Sequence, residues 1–384
     1  MLIVAVEEAR AGMRLAAPVL HPERPGQELL RQGYSLEPPV IERLREIGVE
    51  FIYVEYPALE SLDRHLAVYL SPARQNLLKQ IRGAIARSQK ETRPAISYDD
   101  YCSTTRELIT TLLTQGQNPV YLDQMSRQGA DAVAHAAAVA HLSLLLGIRL
   151  ENYIINQRSR LPPSRAKDVV NLGVAAMLHD IGLSKLPEEL QRYCDVDRPD
   201  DDKLRSEWES HAAIGYEMIR NDVEASAAAA VYQHHQHFNG SGFPELPAGD
   251  GRAAPMEADR IHVFARIILC ANLYDRLASP PRGRGRLPPL QIHHRINNHY
   301  LGWCDPAILR VLQAVAPPLP PGLRVRLSDG TRAVISDVNI DAPMKPVVRR
   351  LADDNWTPEG EPLDLRQPGA PTIEPDPPAL RQTG

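Results

Sequence analysis

Short apolar runs separated by turn residues fill the first 60 positions. Leu2–Val6 and Phe51–Val54 have strand length and β-branched or aromatic character. Between them Val40, Ile41, Leu44 and Ile47 recur at helical spacing behind Pro38-Pro39, a composition that suits a helix start. Residues 1–60 are therefore expected to form a small α+β accessory domain. From 61 to 118 the period changes to a helical one, carried by Leu66, Tyr69, Leu70, Leu77, Leu78, Ile81 and Ile85. This predicts a helical connector, suited to packing against a second copy of itself, so a homodimer is one expected association.

Residues 119–316 are helix-rich throughout. Asp123–Leu150 reads as one long apolar-periodic helix. Asp168–His179 is apolar on nearly every face, which predicts a buried helix. Glu207–Arg220, Asp222–His235 and Asp259–Ala278 follow, each with an acidic residue near its start, where the helix dipole favours negative charge. After Pro317-Pro318 the period falls to two. Leu323–Leu327, Thr331–Val338 and Pro346–Leu351 are expected strands of a small β module over 317–356, and the Pro-rich polar stretch 357–384 is expected to be disordered. The predicted class is mainly α: a helical bundle flanked by a small N-terminal α+β domain and a small C-terminal β module.

Composition narrows the function. A chain of 384 residues suits two or three domains, and 43% hydrophobic residues suffice for packed cores. A formal net charge of -5, with a pI near 6.2, argues against nucleic acid as a partner. Cys102, Cys194, Cys270 and Cys304 lack paired spacing and read as reduced, buried thiols. The N-terminus is acidic and short of apolar residues for a signal peptide, and no run approaches 18 uninterrupted apolar residues. The expectation is a cytoplasmic protein with no membrane span.

The chemistry gathers in the helical region. His179-Asp180 ends the buried helix and sets an imidazole beside a carboxylate. Asp131 and His135 are four apart and share a helix face, as do Asn272 and Asp275, three apart. His211 and the pair His234-His235 lie on the helices between. Taken singly, each has a plain reading: His135 as a packed histidine, His179 as a residue that suits a helix C-terminus, and His234-His235 as a polar loop edge. Their order along one bundle favours a metal site. Imidazole with carboxylate suits Fe, Mn, Zn or Ni better than Ca or Mg. The donors exceed the needs of one ion, so two ions sharing Asp180 are expected. Such a pair acidifies a bridging water and neutralises phosphate charge, which makes phosphoryl transfer the expected chemistry.

Three blocks, Ala-Met-Leu-His-Asp-Ile-Gly, Glu-Ser-His-Ala-Ala-Ile-Gly and His-His-Gln-His-Phe-Asn-Gly-Ser-Gly-Phe-Pro, resemble in order and spacing the HD-GYP group of HD-domain metal-dependent phosphohydrolases. The resemblance covers roughly 119–316, and both flanking units look like ones that accompany this group. It implies an HD-type helical bundle that hydrolyses cyclic di-GMP to pGpG or GMP in bacterial signalling, with two or three divalent transition-metal ions, iron or manganese. It implies His135, His179, Asp180 and position 272 as ligands of one ion. Asp180, as bridging catalytic carboxylate, with His211, His234 and His235 would hold the other, and Asp131 would recruit a third. The loop Gly240, Gly242, Phe243 and Pro244 is implied to shape the substrate site and to meet partner proteins.

This sequence also departs from the pattern. Position 272 is Asn where the group has Asp, and Leu183 stands where the group has a phosphate-binding Lys. Lys185, two residues on, is a candidate replacement, against its plain reading as a solvated lysine. Gln236, Asn239 and Phe243 replace Glu, Asp and Tyr. Arg282 and Arg284 are candidates to receive phosphate, against the reading of a solvated basic loop. The expected enzyme is thus a cyclic di-GMP phosphodiesterase impaired by Asn272 and Leu183. The alternative is a degenerate module that binds a nucleotide or a signalling protein without turnover.

Overall fold

A computed structural model describes residues 2–21, 27–49, 51–55, 71–91, 94–114, 132–247, 253–280, 287–352 and 358–374. These residues fall into two compact units. One combines the described parts of 1–69 and 316–384, and the other those of 70–117 and 122–315.

The first unit joins the two ends of the chain. β1 (Leu2–Ala5) pairs antiparallel with β4 (Phe51–Val54), β2 (Val19–Leu20) with β3 (Glu28–Leu30), and α1 (Pro38–Glu46) buries Ile41 and Leu44. Its core of Val4, Leu15, Leu36, Ile52 and Val54 also takes in Val334 and Leu351 from the C-terminal strands. Those strands form an antiparallel sheet of β5 (Arg324–Arg326), β6 (Arg332–Asp337), β7 (Val347–Leu351) and β8 (Pro358–Asp364), in the order β8-β7-β6-β5.

The strand β8 corrects the expectation of disorder from 357. Its Pro and Glu content resembles a loose tail. However, Leu363, Leu365 and Ile373 pack on Val325, Leu327, Ile335 and Val348, and that burial offsets the cost of ordering the segment.

The second unit is helical: α2 (Pro72–Lys90), α3 (Tyr98–Thr114), α4 (Ala132–Arg149), α5 (Glu151–Gln157), α6 (Pro163–Ala166), α7 (Val170–Leu178), α8 (Asp202–Glu209), α9 (His211–Ile219), α10 (Ala225–Gln233), α11 (Val263–Ala278), α12 (Pro289–His299) and α13 (Pro306–Val315). The segment read as a connector supplies α2 and α3, which pack on α4 and α7 within this bundle. The span read as one helix over Glu207–Arg220 is two, with Ser210 closing α8 at the start of α9.

At the centre lie α4, α7 and α11, buried on almost every side. The alanines of α4 favour the helix and keep its surface flat enough for close neighbours. Among the described residues only α4 is long and apolar enough to cross a membrane, yet 72% of its apolar window is buried inside the fold. All four cysteines are free and buried.

Candidate metal centre

Five histidines reach one point from four helices because each helix ends or begins there. His179 closes α7, His211 opens α9, His234 closes α10 with His235 beside it, and His135 projects from the first turn of α4. The protein fixes four of the rings by a hydrogen bond at Nδ1, and sets a carboxylate beside the Nδ1 of the fifth, His235. The Nδ1–H of His179, His211 and His234 donates to the carbonyl three residues back, on Ala176, Trp208 and Val231, at 2.8, 2.6 and 2.6 Å. His135 Nδ1 donates to Asp275 Oδ2 at 2.6 Å, and His235 Nδ1 lies 2.7 Å from Asp195 Oδ2. Carbonyls and carboxylates only accept, so the proton sits on Nδ1 in each neutral ring and each Nε2 carries a lone pair.

Those lone pairs converge. His135 and His179 bring their Nε2 atoms to 3.2 Å, and both face Asp180 Oδ2, at 3.5 and 3.4 Å. His211 and His235 bring theirs to 2.9 Å, while His211 and His234 face Asp180 Oδ1, at 3.6 and 3.5 Å. Two lone pairs at such separations repel unless a cation or a proton lies between them. His234 Nε2 is buried and makes no hydrogen bond. The chemistry and spacing of the donors suit transition-metal ions with bonds near 2 Å. They form two groups that share Asp180: His135, His179 and Asp180, and Asp180, His211, His234 and His235.

The electrostatics of His179, Asp180, His211 and His235 suit metal binding. Burial pushes the imidazole of His211 down to about 4, and lowers His179 and His235 as well. Burial alone would raise Asp180. The adjacent His179, with His135 and His234 also facing the carboxylate, overcomes it and holds the carboxyl well below its usual range.

Residues 150–308 match the HD domain family. The chain carries an HD domain. His135 lies upstream of the matched stretch and joins the site through α4. Over 116 residues the chain is 28% identical to the "Cyclic di-GMP phosphodiesterase response regulator RpfG" of Xanthomonas campestris pv. campestris (strain 8004). That alignment takes in 29% of this chain and 28% of the relative's length. A solved structure, that of "Bd1817, a HDG"Y"P protein from Bdellovibrio bacteriovorus", aligns over 81% of this chain and 97% of its own, with a TM-score of 0.43 and 14% identity.

Around these candidate ligands stands a ring of supports that the sequence reading passed over. Asp195 is buried, accepts from Arg198 Nη2 at 2.9 Å and orients His235. Its carboxyl is held far below the usual range: burial opposes this, and His235, Arg198 and His237 outweigh it. Asp275 orients His135, and only its helical spacing from Asn272 had marked it. Arg276 donates from Nη2 to Asp180 Oδ2 at 2.8 Å.

Several expected contacts fall elsewhere. Asn272 directs its Nδ2 to Asp195 Oδ2 at 3.3 Å, and its buried Oδ1 has no hydrogen bond. Lys185, expected at a substrate phosphate, donates instead to the carbonyls of Ser88 and Glu91 at the end of α2, where a cation complements the helix dipole. Gly242, Phe243 and Pro244, expected at the substrate, form the wall behind His235. Gln236 bonds the Pro244 carbonyl at 2.5 Å and receives the amide of Met256 at 2.7 Å, which clamps the loop. A Cβ on Gly242 would come within 2.2 Å of the His235 carbonyl, so only glycine permits this approach. Gly240 has φ +74 and turns the loop, its amide bonded to His237. Asp131, Arg282 and Arg284 lie outside the described residues.

A cavity of about 610 Å³ opens onto the centre. Asp180 and Arg276 line it from the metal side, with Met177, Ile181 and Leu183 as apolar wall and Ser184, Gln191 and Arg192 as polar groups.

Proposed function

We propose that this chain is a metal-dependent phosphodiesterase that opens the phosphodiester ring of cyclic di-GMP to give pGpG or GMP. One observation carries the reading. The Asp180 carboxylate divides its two oxygens between two sets of unprotonated imidazole nitrogens, at 3.4–3.5 Å on one side and 3.5–3.6 Å on the other. Bound divalent ions supply Lewis acidity there, which acidifies water and neutralises phosphate charge. The chain's own residues do the rest. The Nδ1 hydrogen bonds hold His135, His179, His211 and His234 before any ion arrives, Arg276 and Arg192, paired with Asp180 and Glu188, bring guanidinium groups to the cavity for phosphate, and the apolar wall limits water. The similarity to a cyclic di-GMP phosphodiesterase supports the substrate.

A second reading, a module that binds the nucleotide without turnover, rests on Asn272 and Lys185. The amide nitrogen of one and the ammonium of the other are bonded to groups other than a ligand site, and the remaining amide oxygen of Asn272 carries no negative charge. Turnover of cyclic di-GMP by the protein loaded with iron or manganese decides between them, measured beside His179→Ala and Asp180→Ala. Turnover lost in both variants supports the enzyme. Absent turnover with nucleotide binding intact supports the module.

A further inference from the structure

The two oxygens of Asp180 do not face equal surroundings. Oδ1 faces His211 and His234 alone, at 3.6 and 3.5 Å. Oδ2 faces His135 and His179, and it also accepts Nη2 of Arg276 at 2.8 Å. Arg276 is itself buried, on α11.

The charge on the two sides then differs. A dication beside His135 and His179 would meet two neutral imidazoles and one carboxylate oxygen already engaged by a guanidinium. Position 272 supplies no negative charge, since it is Asn, and its amide nitrogen is turned to Asp195. Asp275 is committed to His135 Nδ1. On the other side three imidazole nitrogens and the free Oδ1 converge, and Asp195 behind His235 makes that ring a stronger donor.

We infer that the centre holds one divalent ion, bound by Asp180, His211, His234 and His235, and that the Arg276 guanidinium takes the place of a second. Arg276 lines the cavity beside Asp180, so its remaining N–H groups are placed to meet a substrate phosphate. The charge of a binuclear centre is thereby provided by one metal and one side chain. The inference rests on the metal-centre reading of the same residues.

Metal counting tests it without any activity assay. The full chain is loaded with Mn²⁺, dialysed against metal-free buffer, and analysed by elemental mass spectrometry and by electron paramagnetic resonance. About one ion per chain is expected, with an uncoupled Mn²⁺ spectrum. His211→Ala should lose that ion and His135→Ala should keep it. Arg276→Gln combined with Asn272→Asp should bind a second ion roughly tenfold or more tighter than the unaltered chain, since a charge is removed and another restored at short range. Arg276→Lys keeps the charge and should stay at one. Circular dichroism identifies any variant that does not fold, and the unaltered chain is decisive without them. About two ions in the unaltered chain, a coupled spectrum, or loss of the ion in His135→Ala overturns the inference while the metal-centre reading stands. A second site that fails to tighten in the folded double variant overturns the role given to Arg276. No bound ion in the unaltered chain overturns both.

Discussion

Phe243 lies flat on His235, ring centroids 4.4 Å apart and planes 16° from parallel. Its edge meets Trp208 at 5.4 Å, and 5% of Phe243 is exposed. A hydroxyl is absent where the HD-GYP resemblance implies Tyr, yet the ring stacks on His235 and sets the plane in which it presents Nε2. Phe243→Ala removes that support and opens a cavity. It should destabilise the protein by about 3–5 kcal/mol and weaken metal binding about 10–100-fold. Phe243→Leu keeps most of the burial without the flat face, so it should lose metal affinity with a smaller loss of stability. Calorimetric melts and metal titration read the two effects separately, and equal metal affinity in Phe243→Leu and the unaltered chain would count against a positioning role.

The turn after Asp180 depends on a backbone approach. A Cβ on Gly182 would stand 2.0 Å from the His211 carbonyl and 2.7 Å from the Gly215 nitrogen. Neither backbone group can move without shifting α9, and His211 with it. Gly182→Ala is expected to cost about 1–3 kcal/mol, as overpacking does in a tight core, and to reduce bound metal. Chemical denaturation with metal analysis checks it. A variant with unaltered stability would show that α9 yields more easily than its packing implies.

These dependencies explain what the sequence could and could not reveal. His135, His179, Asp180, His211, His234 and His235 were legible because ligand chemistry restricts residue type and because their order along the helices repeats a known pattern. Helices such as Asp168–His179 and strands such as Phe51–Val54 were legible from apolar period alone. Asp195 was not, since an Asp between Cys194 and Val196 in a loop carries no periodic signal. Its role exists only once the fold sets it against His235. Arg276 was hidden for a similar reason: an Arg beside Asp275 carries no signal of its own, and burial beside Asp180 gives it a partner. The Leu363, Leu365 and Ile373 anchors of the last strand were masked by the prolines and glutamates around them. Lys185 misled by proximity, because two residues in a tight turn carry a side chain to a different face.

Lys185 can be tested directly. Its ammonium closes the C-terminal end of α2, bonded to Glu91 at 2.6 Å and to Ser88. Lys185→Met keeps the apolar stem and removes three donors. It should cost about 1.5–3 kcal/mol, the range for hydrogen bonds involving a charged group. Bound metal should not change, since no ligand is touched. A denaturation curve coincident with that of the unaltered chain would remove Lys185 from this capping role.

The last prediction concerns acid stability away from the metal. His262 precedes α11, and its Nδ1 accepts the amide of Phe264 at 3.2 Å, which requires the neutral ring. Burial, with Arg158 and Arg266 nearby, pushes it down to about 4. The same cause pushes His141 on α4 down to about 3. The unfolded chain takes up these protons near pH 6.5 and the folded chain does not. Below pH 6.5 the unfolded state therefore binds more protons, and stability falls as pH falls, until the folded pKa is reached. Above pH 6.5 neither residue contributes a slope. For His262 the loss is about 1 kcal/mol per pH unit between pH 6.5 and 4. His262→Asn retains a capping acceptor and cannot titrate. The stability difference between the unaltered chain and this variant should thus shift by about 1–2 kcal/mol toward the variant from pH 7 to pH 5. Comparing the two proteins cancels the histidines of the metal centre, which both share. Urea denaturation at the two pH values gives the difference, and a constant value would mean that His262 keeps an ordinary affinity for its proton in the folded state.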